Sequence, residues 1–193
     1  NLYTDYKYDA LRILEDIDNI CGYSFNIVFK NNRYKIKLPH KLTQLITILY
    51  GSQRDNQIPS FILQDNCPTS FIREFLAGYF GSLEVNLSLD NIYENLCKLR
   101  DYTNNNQHLE TLLTRLSINN TIHKYTDHNC ILLDGKQFAE TLGVRYNINV
   151  SLKLSAAKSF WRKDQTVSPQ EYFEKTSSLQ WFRSSNIIDQ DTT

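Results

Sequence analysis

The stretch from Thr69 to Glu84, Thr-Ser-Phe-Ile-Arg-Glu-Phe-Leu-Ala-Gly-Tyr-Phe-Gly-Ser-Leu-Glu, constrains the fold of this chain more than any other. Thr69 or Ser70 suits a helix N-cap. Phe71, Ile72, Phe75, Leu76, Tyr79 and Phe80 spread apolar surface over most of the circumference, and Gly81 suits the stop. A helix that is apolar nearly all round has to be buried. Ala77 and Gly81 lie four residues apart with Gly78 beside them, a seam of small side chains that lets a second backbone approach closely. The spacing therefore predicts a core helix with a partner helix on the Ala77–Gly78–Gly81 face. A core helix that simply ends in glycine accounts for the same residues without any function.

Upstream, Ala10, Leu11, Leu14, Ile17 and Ile20 recur at helical spacing before Gly22 and predict a helix from about Tyr6 to Cys21. Two alternating runs, Ser24 to Lys30 and Arg33 to Leu38, joined at Asn31-Asn32, predict a hairpin. Arg33, Lys35 and Lys37 then share one face and Tyr34, Ile36 and Leu38 the other. The charged face is either a solvated sheet surface or one that follows phosphates. Pro39 ends the strand, and Leu42, Leu45, Ile46 and Leu49 predict a helix closed by Gly51.

Downstream, Val85, Leu87 and Leu89 alternate as a strand, Ile92, Leu96 and Leu99 take helical spacing, and Leu109, Leu112, Leu113 and Leu116 predict a further helix. A second hairpin spans Thr121 to Tyr125 and Cys130 to Leu133, with a short helix from Gly135 to Leu142 after it. The recurrence of helix, two strands and helix on both sides of the central helix points to an internal two-fold repeat. Val150, Leu154, Ala157 and Trp161 predict an amphipathic helix flanked by Lys153, Lys158, Arg162 and Lys163. Ser168, Pro169 and Glu171 read as a capped helix start, followed by an apolar patch that includes Trp181 and Phe182.

At 193 residues, with 41% hydrophobic and 12% aromatic content, the chain is long enough to bury a substantial core. No apolar run of membrane-spanning length is present and Asn1 to Tyr8 has no signal-peptide pattern, so no membrane partner is expected. The sequence contains no methionine, so a segment upstream of Asn1 is expected. Lys plus Arg balance Asp plus Glu at 21 each, which argues against a dedicated duplex-DNA wrapper. The charge is uneven, however, with basic blocks from Lys30 to Lys41 and from Arg145 to Lys163 that suit local contact with RNA or DNA. Cys21, Cys67, Cys97 and Cys130 lack zinc or redox spacing and read as reduced thiols. His123, Asp127, His128 and Cys130 fall across a turn, where turn polarity explains them better than a metal. The abundance of Asn, Ile, Tyr and Lys fits an AT-rich organellar gene and hints at a mitochondrial protein.

With these elements placed, Phe75-Leu-Ala-Gly-Tyr-Phe-Gly-Ser-Leu-Glu84 resembles the motif of the LAGLIDADG homing endonucleases. Gly143-Val-Arg-Tyr-Asn-Ile-Asn-Val-Ser-Leu-Lys-Leu-Ser-Ala-Ala157 is similar to the downstream segment of two-repeat organellar members, and Ser168-Pro-Gln-Glu-Tyr172 with Trp181-Phe182 to their C-terminal end. The basic hairpin, Lys37-Leu-Pro-His-Lys-Leu42 and Pro59-Ser-Phe-Ile-Leu63 resemble the end of a first repeat. The resemblance covers most of the chain. It implies an α+β fold with a pseudo-two-fold repeat, in which antiparallel saddle sheets carry helices packed on one face. Residues 1–68 would be a partial first repeat without its own motif helix, and 69–193 the second repeat with C-terminal helices.

In that family an acidic residue at each motif-helix end binds metals that drive phosphodiester hydrolysis, a role carboxylates suit because divalent metal activates water and stabilises the leaving oxygen. Here the matching position is Leu83, which cannot ligate metal. Glu84 comes one residue late, a rotation of about 100 degrees on a helix. Val150 also stands where related members tend to carry lysine. The resemblance thus implies a catalytically degenerate relative: an RNA-binding or structural component of an organellar ribonucleoprotein such as a mitochondrial ribosome or an intron maturase, with no cofactor. Its RNA contacts would come from Lys30, Arg33, Lys35, Lys37, Arg145, Lys153, Lys158, Arg162 and Lys163. Other protein chains would be partners, one of them carrying the missing motif helix. The alternative is an active, sequence-specific DNA endonuclease that uses Mg2+ with Glu84 as its acid. A relic with a purely scaffolding role is the third reading.

Overall fold

The computed structural model describes residues 1–22, 25–50, 58–103 and 105–162. Lys163, the Ser168–Glu171 cap and the Trp181–Phe182 patch lie outside the described residues, as do Ser24 and Gly51.

Strand β1 (Leu2–Thr4) leads into helix α1 (Lys7–Cys21), followed by strands β2 (Ile27–Lys30) and β3 (Arg33–Ile36) and helix α2 (His40–Tyr50). Gly22 closes α1 in the left-handed conformation at φ 73°, and its N–H donates to the Asp18 carbonyl at 2.8 Å. Asn31 and Asn32 both take positive φ, 53° and 60°, the conformation that lets a two-residue turn follow the strand twist. The sheet order is β1-β3-β2, antiparallel throughout. Alternation along β3 sends Ile36 into a small core with Ala10 and Ile17 of α1, with Tyr34 packed at its margin. β1 was not foreseen from the sequence: it has three residues, too few to show a period, and it is defined by its pairing with β3.

After the short helix α3 (Ser60–Leu63) comes helix α4 (Thr69–Gly81). Pro68 holds the cap position and no side chain caps the helix, so neither Thr69 nor Ser70 has the role expected of it. Ile72, Leu76, Ala77 and Phe80 are buried whereas Phe71 is 61% exposed, so α4 buries one side rather than its whole circumference.

Next come strand β4 (Glu84–Asn86), helix α5 (Leu89–Tyr93), strand β5 (Leu96–Asp101), helix α6 (Asn106–Arg115), strands β6 (Asn120–Lys124) and β7 (Asn129–Asp134), and helices α7 (Gly135–Thr141) and α8 (Ile148–Arg162). Two expectations change here. The strand expected over Val85 to Leu89 stops at Asn86, because the Ser88 side chain accepts the Asn91 N–H at 3.3 Å and starts α5. The helix expected over Ile92 to Leu99 is α5 followed by β5, separated at Asn95, whose φ of 54° breaks the helix.

The second sheet has the order β4-β5-β7-β6, with every pair antiparallel. Cys97 and Leu99 of β5 and Ile131 and Leu133 of β7 face a core shared with Leu76 and Phe80 of α4, Leu109, Leu112 and Leu113 of α6, Phe138 of α7 and Leu154 of α8. Burying a residue of this size contributes about 1.5–3 kcal/mol, so this core outweighs the small one under α1. Helices thus cover one face of the sheet, and among the described residues nothing covers the other.

The protein is therefore an α+β fold with antiparallel sheets. The sequences of elements β1-α1-β2-β3-α2 and β5-α6-β6-β7-α7 run in the same order, and both sheets place the last strand between the first two. β4 adds to the outer edge of β5, and no strand among the described residues stands at the matching edge of β1. No helix of the described residues is long and apolar enough to cross a membrane.

Candidate functional site

The small-residue face of α4 is met by the loop ahead of α8. The Arg145 N–H donates to the Ala77 carbonyl at 2.8 Å, and the Asn147 side chain donates to the Gly81 carbonyl at 3.1 Å. A Cβ on Gly81 would overlap the Arg145 carbonyl, whereas one on Gly78 would have nothing within 4 Å. Among the described residues, a loop of the same chain rather than a second helix thus fills the Ala77–Gly81 part of the seam.

Arg145, expected to contact nucleic acid, brackets α4 and α1. Its guanidinium donates to the Glu74 carboxylate of α4 and to Asp16 of α1 at 3.2 Å. Tyr146 adds a 2.6 Å hydrogen bond from its hydroxyl to Asp16. Burial, then the bond to Asp16, pushes the Tyr146 phenol up to about 12. Asp9 of α1 is buried and accepts the Ile148 N–H at the start of α8, at 3.0 Å. Loss of solvation raises its pKa above the ordinary 3.8, partly offset by that hydrogen bond.

At the end of α4, Leu83 packs against the main core, and Glu84 opens β4 on the uncovered face of the sheet. Glu84 stands directly across from Arg100 of β5, and both carboxylate oxygens lie 3.4 Å from the guanidinium. The negative charge of Glu84 raises the Arg100 pKa, so this cation stays charged. The register continues the row across the sheet through Cys130 to His123. A second row runs Asn86, Lys98, Leu132 and Thr121.

Beyond the strand ends, period-two alternation carries this face to Tyr102, Tyr125 and His128. Asp101 points inward and is fully buried, accepting the Tyr79 hydroxyl at 3.2 Å and the Thr103 N–H at 3.0 Å. That anchor turns Tyr102 outward, 62% exposed. Tyr125 lies flat against His128, ring centroids 4.9 Å apart and planes at 11°. Tyr102 approaches the same imidazole at 5.9 Å. The Asp127 carboxylate, 2.8 Å from His128 Nδ1, fixes the ring, and that contact is the main cause of a lowered Asp127 pKa. A cavity of about 280 Å3 lies on this face, lined by Glu84, Asn86, Lys98, Arg100, Tyr125, His128 and Cys130. Cations beside open aromatic planes can hold a phosphate and stack a planar ring.

The remaining expected cations are dispersed. Lys30 and Arg33 stand opposite each other in the first sheet, a like-charge pair relieved by Asp5, 2.6 Å from Arg33. Lys35 shares their face, and Lys37 follows β3 exposed to solvent. On α8, Lys158 donates to the Ala139 carbonyl at 3.2 Å and Arg162 to Glu140 at 3.1 Å, tying α8 to α7. Lys153 is exposed. Since Leu154 enters the main core, α8 packs on the helix side, away from the open face. Among the described residues no group of three His, Cys, Asp or Glu side chains converges as a metal site.

Lys98, Arg100, Tyr102 and the Tyr125–His128 pair were not foreseen as site residues. The signal that finds them is the alternation Cys97-Lys-Leu-Arg-Asp-Tyr102, once that run is read as a strand. Fold and surface together define a class: an α+β protein with helices on one side of an antiparallel sheet and a cationic, aromatic surface on the other. No family model matches this chain, and no curated protein matches it in sequence.

Proposed function

We propose that this protein is an RNA-binding member of a mitochondrial ribonucleoprotein, of LAGLIDADG-endonuclease-like architecture and without nuclease chemistry. The observation that carries this reading is the open face of the β4-β5-β7-β6 sheet. There Lys98 and Arg100 stand beside Tyr125 and His128, while Leu83, at the motif's acid position, packs against the core. Glu84 supports the same reading because its carboxylate lies 3.4 Å from the Arg100 guanidinium, a cation that competes with any metal for the same oxygens. Phosphate contacts need cations on a solvent-facing sheet, and aromatic planes beside them suit RNA, whose recognition relies on stacking. The dispersed basic strands Lys30 to Lys35 would add a second phosphate-contacting surface.

The test is equilibrium binding of the full chain to RNA over a range of salt. Affinity should fall steadily with salt, with a slope of about −0.7 per phosphate contacted on a single strand. Lys98→Ala with Arg100→Ala should weaken binding and flatten the slope. Absence of salt-dependent binding sinks the proposal in favour of a scaffolding role. Mg2+-dependent cleavage of DNA that disappears in Glu84→Ala would establish the endonuclease instead.

A further inference from the structure

We propose that the exposed ring of Tyr125 is a stacking platform for one unpaired nucleobase, in an RNA strand whose phosphates lie against Lys98 and Arg100. This rests on the RNA-binding reading above and names the part of the RNA that the site takes. Tyr125 is 59% exposed, yet its ring is held: one face lies flat on His128 at 11°, and His128 is fixed in turn by Asp127 and flanked by Tyr102. A ring packed on one face and more than half exposed loses little freedom when a base settles on it, and stacking accepts any base because every base has a π-face. An isolated surface tyrosine would mean nothing, since apolar surface is ordinary on folded proteins. Here the ring borders a cavity of about 280 Å3 whose other walls include Lys98, Arg100 and Glu84, so plane, cations and concavity coincide.

The chemistry of the walls sorts the nucleotide. Lys98 and Arg100 offer only donors and positive charge, which suits phosphate oxygens. A base inside an A-form helix cannot use this arrangement: its faces are taken by its neighbours and its major groove is closed to side chains. The ligand is therefore a nucleotide from a loop, bulge or single strand.

The experiment uses the full chain and an oligouridylate carrying one 2-aminopurine, whose bases stack little on one another, compared with the same strand annealed to its complement. Binding is read by anisotropy and stacking by quenching of the 2-aminopurine fluorescence. The single strand should bind about tenfold or more tightly than the duplex, with quenching. Tyr125→Ala should lose roughly ten- to a hundredfold in affinity and the quenching with it. Tyr125→Phe should keep both, because stacking needs the ring and not the hydroxyl. Salt-dependent binding in which the duplex equals the single strand, or in which Tyr125→Ala quenches as the wild type does, overturns the platform and leaves the RNA-binding reading standing. No salt-dependent binding to either RNA overturns both. If Tyr125→Ala disturbs the turn, the strand preference and quenching of the wild-type protein decide alone.

Discussion

Gly81 and Arg145 meet backbone to backbone: a methyl group on Gly81 would overlap the Arg145 carbonyl, although the same methyl on Gly78, one turn earlier, would stand in open space. Two glycines of one helix therefore respond oppositely to the same change. Gly81→Ala forces the 145–147 loop off α4 and should destabilise by about 1–3 kcal/mol, as overpacking does. Gly78→Ala only removes the freedom of glycine in a helix and should stabilise by about 0.4–1 kcal/mol. Urea unfolding of both variants checks the pair, and equal midpoints would refute the loop's contact with Gly81.

Tyr146 joins the 145–147 loop to α1 through Asp16. Tyr146→Phe keeps the ring and deletes that hydrogen bond. The expected cost is about 1.5 kcal/mol, at the low end for a bond to a charged acceptor because the site is only half buried. Alkali offers a second readout. The phenol's pKa rises from its ordinary 10.0 to about 12 in the fold, so the fold binds its proton longer than the unfolded chain does. Stability should fall as pH climbs from 10 towards 12, and Tyr146→Phe should weaken that decline. An identical alkaline decline in both proteins would remove Tyr146 as its source.

How much of this was legible in the sequence depends on whether the deciding interaction is local. Gly22 and the Asn31-Asn32 turn were readable because positive φ is a demand made by a few adjacent residues. β5 was not. Ile92, Leu96 and Leu99 satisfy helical spacing while Cys97 and Leu99 satisfy a strand, and what decides between them is pairing with β7, where Cys97 meets Leu133 and Leu99 meets Ile131. The same ambiguity concealed Lys98, Arg100 and Tyr102, since their shared face exists only once β5 is extended. The bracing role of Arg145 was hidden for a related reason: it sits in a basic block, but its partners Glu74 and Asp16 lie 71 and 129 positions away. The composition of a segment reports its charge and says nothing about which charges are already spent.

Asp9 gives a pH-dependent test of the contact between α1 and α8. Burial holds its pKa above the unfolded 3.8, so the folded protein keeps this proton more readily than the unfolded chain. Stability contributed by the group is therefore lost as pH rises from 3.8 through the folded pKa. Asp9→Asn keeps an oxygen to accept the Ile148 N–H and cannot ionise. It should match the wild type in acid, then become the more stable protein as pH rises towards neutrality. Asp9→Ala, with no acceptor, should be less stable at every pH. Melting temperatures from pH 3 to pH 7 separate the three, and an Asp9→Asn protein less stable than wild type at neutral pH would show that the carboxylate is favourable where it sits.

The cysteines provide a chemical map of the two faces of the sheet. Cys97 points into the core with no exposure, and burial raises its pKa to about 12. Only the thiolate reacts with maleimides at an appreciable rate, so Cys97 should be modified only when the protein unfolds. Cys130 is one strand over and on the opposite face, half-buried at the cavity between Arg100 and His123. It should react in the native protein, on a timescale of minutes to hours rather than that of a free thiol in solution. A bulky adduct there stands on the open face beside Lys98 and Arg100, and it should reduce RNA affinity at least about tenfold if phosphate and stacking contacts are both displaced. Bound RNA should in turn slow the labelling of Cys130 and leave that of Cys21, on α1, unchanged. Mass spectrometry of labelled peptides with and without RNA reads both effects. Protection of Cys21 without protection of Cys130 would move the RNA off this sheet face altogether.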